Sequence, residues 1–350
     1  MADIANRYSE NPLLSPKDLK ASNEGMVIEC LLNPGVFEIN DQIGLLVRVA
    51  ERTIKKDEII SVPIYNDQGK VEILDFKQDD PKLDASDARI INYDGVDYLT
   101  TISHLRLLFS DDGISFSESE EYPSLFGEGE YESYGIEDCR VSKIDTTYYL
   151  TYTMVSPNGV AVGLRTTKDW KSFEKEGMIF SPHNKDCAIF EEKVNGKFYA
   201  LHRPGSPELG GFYMWLAESF DGIHWGNHKC LAKTRKGKFD SKRLGAGAAP
   251  IKTEKGWLTV YHGATEDNRY CLGAILLDLN EPFKVIARSE EPIMEPVEYF
   301  ERNGFFGEVI FTNGHIVKGD KIQMYYGAAD EFVGLATFSI NEILKTLGQL

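Results

Sequence analysis

Glu137, Asp138 and Arg140 stand at the head of a strand-like run, in SYGIEDCRVSK (133–143) followed by DTTYYLTYTM (145–154). A carboxylate at the mouth of a strand can give or take a proton while a nearby cation adjusts its charge. Residues i and i+2 of an extended chain share a face, so Asp138 and Arg140 are expected to point the same way. A surface ion pair has the same spacing and contributes little. The acid therefore gains meaning only beside other polar residues at comparable places: Asn33 in NPG, Arg48 in VRV, Asp87, Lys185 in NKD, Arg203 in HRP, His262 in YHG and Asp330 in YYGAAD. Each has a plain reading alone, such as a core histidine for His262, an ion pair for Arg203 or a turn cap for Asp330. Together they predict a polar pocket with acids on one side and Lys185, Arg203 and His262 on the other. Such a cationic group suits a dianion such as phosphate, through charge-assisted hydrogen bonds.

What must position these residues is a repeated plan. Residues 87–116, 138–173, 186–225, 247–283 and 309–339 each read as short alternating strands cut by polar turns and closing on an aromatic, with a weaker copy at 33–49. Asp-Gly and Asn-Gly pairs between alternating runs are hairpin chemistry. Units of about 50 residues with about four strands match propeller blades, which hide sheet edges by radial packing. A β-sandwich is the competing architecture but gives no reason for the repetition; five or six blades both fit, the weak copy and the segment 53–78 reading equally as extra strands that elaborate the first blade. Superposing the copies places Asn33, Asp87, Asp138, Lys185 and Ala249 at equivalent innermost positions, with Arg48, Arg203 and His262 on second strands. Helical periodicity is confined to the neighbourhoods of Pro16–Leu19 and Ile340–Leu347. The acidic segment 117–135 reads as a long loop, and the whole chain, 1–350, as a single domain.

Composition narrows the classes. The 350 residues are 42% hydrophobic and carry a net charge of −17, enough apolar material for a sizeable core and the wrong sign for nucleic acid or an anionic membrane surface. Cys30, Cys139, Cys187, Cys230 and Cys271 form no CxxC pair, and neither HExxH nor a Gly-rich phosphate loop occurs, so no metal is expected. With no apolar leader in MADIANRYSENP, the expectation is a cytoplasmic protein.

The chain resembles glycoside hydrolase family 130, through NPLLSPKDL at 11, NPGVF at 33, IEDCR at 136, NKDCAIF at 184, HRP at 202, HWGNH at 224, GAGAAP at 245, YHG at 261, YYGAAD at 325 and VGLA at 333. The resemblance implies an all-β, five-bladed β-propeller with a short C-terminal helix. It also implies an inverting phosphorylase of β-linked manno-oligosaccharides that uses inorganic phosphate as co-substrate and no cofactor. Asp138 matches the catalytic acid. Asn184, Lys185, Arg203, His262 and Tyr270 match the phosphate site, and Asn33, Arg48, Asp87, Arg140 and Asp330 are expected around the sugar. Cys139, where many members have proline, and the long stretch 52–106 point to β-1,2-linked rather than β-1,4-linked mannose. A β-1,4-mannoside phosphorylase, a β-mannosidase of the same family and a non-catalytic carbohydrate-binding propeller are the alternatives, and homo-oligomers are allowed. One acid suffices for a phosphorylase because phosphate is the nucleophile, whereas ordinary glycosidases need two carboxylates. That acid must hold a proton when substrate binds, so its pKa should then rise above the free value; burial and Glu137 push the pKa of Asp138 up and Arg140 pulls it down, with either outcome open from the sequence.

Overall fold

Hairpins build the chain, and their turns show why. Asp94-Gly95 and Asn195-Gly196 take positive φ at both positions, 52° and 88°, then 51° and 77°. This twist matches that of the strands they join. The computed structural model describes residues 3–66, 68–87, 89–205 and 208–348. The fold is all-β, with five antiparallel sheets of similar plan. The second sheet is Ile136–Ile144, Thr147–Ser156, Gly159–Thr167 and Glu174–Phe180, in sequence order. The third is Asn184–Ile189, Phe198–Pro204, Met214–Ser219 and Gly226–Ala232. The fourth contains Arg243–Ala246, Gly256–Ala264, Tyr270–Leu277 and Val285–Arg288, with Ile251–Thr253 pairing beside them. The fifth contains Ile310–Lys318, Lys321–Ala328 and Phe332–Ser339, and takes Asn6–Arg7 on its edge.

The first sheet decides between the two readings of the weak copy, in favour of its joining the first unit. Met26–Ile39 and Gln42–Thr53 pair with Thr101–Ser110 and then Ser117–Glu118, with Leu45 opposite Leu108. The weak copy at 33–49 and the copy at 87–116 are thus parts of one sheet. Between them an insertion folds as two small sheets, Ile59–Tyr65 with Val71–Lys77, and Leu83–Asp84 with Ile90–Tyr93 and Val96–Leu99. Alternation reveals that a segment is a strand but not which distant strand it joins.

Side chains alternate between the two faces of each sheet, and each face meets a different neighbour. Tyr325 and Val333 pack with Leu45 and Leu108 of the first sheet, whereas Met324 and Tyr326 pack with Val260 and Leu272 of the fourth. Further cores join the first sheet to the second through Phe37, Leu107 and Leu150, the second to the third through Leu164 and Ala200, and the third to the fourth through Leu216 and Ile275. Two short α-helices, Tyr299–Arg302 and Ile340–Thr346, complete the described elements with 3-10 turns at Pro16–Asp18 and Glu130–Glu132. Ser339 caps the last helix by accepting from the Glu342 N–H at 3.1 Å, satisfying one of its orphan donors. No described helix is long and apolar enough to cross a membrane.

Candidate active site

The first strands of four sheets are broken at matching places by irregularities between Leu32 and Gly35, Glu137 and Arg140, Lys185 and Ala188, and Thr312 and Gly314. A bulge leaves one residue out of the ladder and re-aims its side chain. Asn33, Asp138 and Asp186 occupy three of these bulges with φ of 34°, 49° and 54°, a region uncommon for residues other than glycine and characteristic of functional sites. Asp186, rather than Lys185, is therefore the counterpart of Asp138. Sequence reasoning missed it by one residue, although the doublet Asp-Cys recurs at 138–139 and 186–187.

A cavity of about 620 Å³ opens over these bulges, and Asn33, Arg48, Asp138, Lys185, Arg203, Tyr270 and Asp330 all reach its wall. Seven predicted residues, far apart in sequence, thus converge. At one side the Asp138 carboxylate accepts from Asn33 Nδ2 at 3.0 Å and Arg48 Nη1 at 3.2 Å. Arg48 Nη2 also donates to Glu137 at 2.8 Å, and Lys185 Nζ donates to the other oxygen of Glu137 at 3.2 Å. Glu137 thus ties the acid's surroundings to the cations. Lys185 lies directly across the ladder from Arg203. Arg203 Nη1 stands 2.9 Å from Asp186 and 3.3 Å from His262 Nε2. Lys242, Arg243 and Arg89, none singled out from the sequence, line the same cavity. Arg243 and Arg203 both lie over the ring of Phe212.

Other predicted residues stand elsewhere. Arg140 is 1% exposed and does not reach the cavity. Its guanidinium donates to the carbonyls of Asp138, Ala246 and Gly247 and to Asp186 at 3.1 Å. It is an internal tie between sheets, and its expected sugar contact is corrected: the bulge breaks the i, i+2 alternation. His262 is fully buried behind Arg203, with Nε2 3.2 Å from Asp186. Asn184 is buried against His202 Nδ1 at 3.1 Å and is not part of the cavity wall. Asp87 does not lie on an innermost strand. It belongs to the insertion and holds exposed Arg89 at 3.0 Å, because 87–116 is not a separate repeat.

Electrostatics divide the carboxylates. Burial pushes Asp138 up, but Arg48, Lys185, Arg140 and the Asn33 hydrogen bond together hold it below its ordinary value. Of the opposing pulls that the sequence leaves open, the cations outweigh burial. Asp186, despite burial, is held well below by Arg203, His262 and Arg140. Burial raises Asp330 to about 6, Arg48 opposing and the charges of Asp138 and Glu137 adding to it. Burial lowers His262 to about 4 even though Asp186 favours its charged form, so its ring is neutral at pH 7. A second cavity, of about 350 Å³, is lined by Glu192 and Lys252, already paired to each other, and by Glu38, Lys143 and His315. It offers no comparable group of converging cations.

Residues 82–349 match the family model of glycoside hydrolase family 130, described as beta-1,4-mannooligosaccharide phosphorylase. The chain belongs to glycoside hydrolase family 130. Within the family it is 47% identical over 347 residues to a beta-1,2-mannobiose phosphorylase of Listeria innocua, covering 97% of this chain and 98% of that one. A 1,2-beta-oligomannan phosphorylase of Thermoanaerobacter is 40% identical over 245 residues, 69% of this chain and 80% of the other. The solved structure of the Listeria innocua beta-1,2-mannobiose phosphorylase in complex with beta-1,2-mannobiose superposes with a TM-score of 0.94 at 45% identity. It covers 98% of this chain and 99% of that one.

Proposed function

We propose that this family 130 enzyme cleaves β-1,2-mannobiose with inorganic phosphate, giving α-mannose 1-phosphate and mannose. The carrying observation is one cavity in which a buried carboxylate, Asp138, stands beside converging cations. The names of the relatives supply the linkage. We read the five sheets as the blades of a five-bladed propeller. The cores between successive sheets, the return of the fifth sheet onto the first, and the matching bulges on first strands support that reading.

In this mechanism the transferred mannosyl ring lies against Asn33, Arg48 and Asp330. Phosphate sits among Lys185, Arg203, Arg243 and Tyr270, with neutral His262 and ionised Asp186 fixing Arg203 from behind. A phosphate oxygen attacks C1 as the C1–O bond to the leaving sugar breaks, inverting β to α. Asp138 supplies the proton that the leaving oxygen takes up, relayed through a hydroxyl of the mannosyl ring. Against burial, Arg48, Lys185 and Arg140 favour the ionised form of Asp138. Arrival of a phosphate dianion offsets Lys185 and Arg203, which raises the carboxyl pKa when a proton is needed. The cations then serve by position and charge compensation, and no resident cofactor enters the chemistry.

Incubating the purified protein with β-1,2-mannobiose, with and without phosphate, tests this directly. Mannose 1-phosphate is expected with phosphate alone, and free mannose without phosphate would make the enzyme a hydrolase instead. Asp138→Asn is expected to lower turnover by about 10²–10⁴-fold, the usual worth of a positioned acid; near-normal turnover would remove Asp138 from the role.

A further inference from the structure

Glu137 and Asp138 are neighbours in the chain, yet both reach the wall of the same cavity. Consecutive residues of a regular strand point to opposite faces. The bulge breaks that rule here: Glu137 keeps its place in the ladder opposite Thr153, while Asp138 leaves it with a φ of 49°. Two carboxylates thus stand side by side, each only 7% exposed. Like charges so close favour a proton on one of them unless cations intervene.

Two cations intervene, and Glu137 draws on both. Arg48 donates through Nη2 to Glu137 at 2.8 Å and through Nη1 to Asp138 at 3.2 Å. Lys185 Nζ donates to the second oxygen of Glu137 at 3.2 Å. That ammonium links Glu137 to the phosphate side of the cavity, because Lys185 stands across the ladder from Arg203. Arg203 is held from behind by buried Asp186 at 2.9 Å. Lys185 differs, since its side chain is 31% exposed and an ammonium on a four-carbon stem is a movable point charge with three donors.

We propose that Glu137 is a positioning residue that competes with phosphate for Lys185: it serves as the counter-ion of that lysine, restrains the affinity for phosphate and limits the positive charge acting on Asp138. This rests on the phosphorylase reading above. When phosphate draws Lys185 toward Arg203, Glu137 and Asp138 are left to share Arg48. Two adjacent carboxylates on one guanidinium favour uptake of a proton, and Asp138 is the one that must deliver it. The other charges near Asp138 do not stand in for Lys185. Arg140 is engaged by Asp186 and by three backbone carbonyls, and Asp330, where ionised, adds negative charge. Glu137 therefore links phosphate at one side of the cavity to the proton at the other.

The test measures phosphate affinity by calorimetry and turnover of β-1,2-mannobiose for wild type, Glu137→Gln and Glu137→Asp, with the melting temperature as a check on folding. Glu137→Gln keeps the shape and the hydrogen bond from Arg48 but removes the charge. Phosphate is expected to bind about three- to fivefold more tightly, the size of one partly exposed ion pair. At the same time kcat should fall about tenfold, because Lys185 and Arg48 then act undivided on Asp138. Glu137→Asp keeps the charge but draws it back from Lys185, and should fall between wild type and Glu137→Gln. A residue that only supports the fold would weaken phosphate binding and turnover together. Phosphate binding that is unchanged or weaker in either folded variant would overturn the proposal, and so would tighter binding with kcat unchanged. In a Lys185→Gln background, Glu137→Gln should leave phosphate affinity within about twofold; an undiminished gain there would show that Glu137 repels phosphate directly and would overturn the competition for Lys185. If Glu137→Gln does not fold, Glu137→Asp decides by the same two readouts. If wild type forms no mannose 1-phosphate, the phosphorylase reading fails by itself, and the phosphate affinities still decide between Glu137 and phosphate as rivals for Lys185.

Discussion

Asp138 and Asp330 share one cavity, yet their environments push them apart. Asp138 has Arg48, Lys185 and Arg140 around it and accepts from Asn33. Asp330 has Arg48 and Arg89 against burial and the charges of Asp138 and Glu137, and reaches about 6. The folded state therefore binds the Asp330 proton more tightly than the unfolded chain, where an aspartate titrates near ~3.9. The stability this lends is fully present below about pH 4 and is lost as pH rises through about 6. Asp330→Asn should remove that loss. The melting temperature of the variant minus that of wild type is expected to grow between about pH 4 and pH 7; a difference flat with pH would show that Asp330 does not carry this penalty. Residue types led correctly to the cavity for Asn33, Arg48, Asp138, Lys185, Arg203, Tyr270 and Asp330. They misplaced Arg140, because a charged side chain can satisfy all its donors inside a protein as well as in a pocket.

Strands deliver these groups by their irregularities. Asn33, Asp138 and Asp186 leave the ladder at matching bulges, and glycine lets the facing elements approach them. Gly245 lies opposite His262 on the neighbouring strand. A Cβ there would stand 2.1 Å from Asp186 Oδ2 and 2.7 Å from His262 Nε2. Gly245→Ala must displace the carboxylate that orders Arg203 and His262. Urea denaturation should show a loss of about 1–3 kcal/mol, as overpacking costs in well-filled sites. The KM for phosphate should rise more than that for mannobiose; equal changes in both would mean that the glycine serves packing alone.

At the scale of the whole molecule, the beginning of the chain completes the last sheet. Asn6 pairs with Thr337 and Arg7 with Ala336, and Leu13 N–H donates to the Val333 carbonyl. Arg7 also donates to Glu301 at 2.7 Å, and that carboxylate is fully buried. Removing one partner of a buried pair leaves a charge uncompensated, at a cost of about 3–5 kcal/mol. Arg7→Ala is expected to destabilise by that order in denaturant. A variant as stable as wild type would show that the last sheet holds without this pair.

The sequence by itself determined the strands, the hairpins and most of the polar residues that meet in the cavity. Period-two alternation and Asp-Gly or Asn-Gly turns are local signals, and the repeated plan makes equivalent residues converge. Only the tertiary structure decided that Met26–Thr53 and Thr101–Ser110 form one sheet around an insertion, because strand pairing over about 50 residues leaves no local mark. It also decided that Asp186 stands level with Asp138, that Arg140 turns inward, and that Arg89 reaches the cavity. A bulge shifts the alternation by one residue, and which face then looks into a cavity depends on the neighbouring sheets.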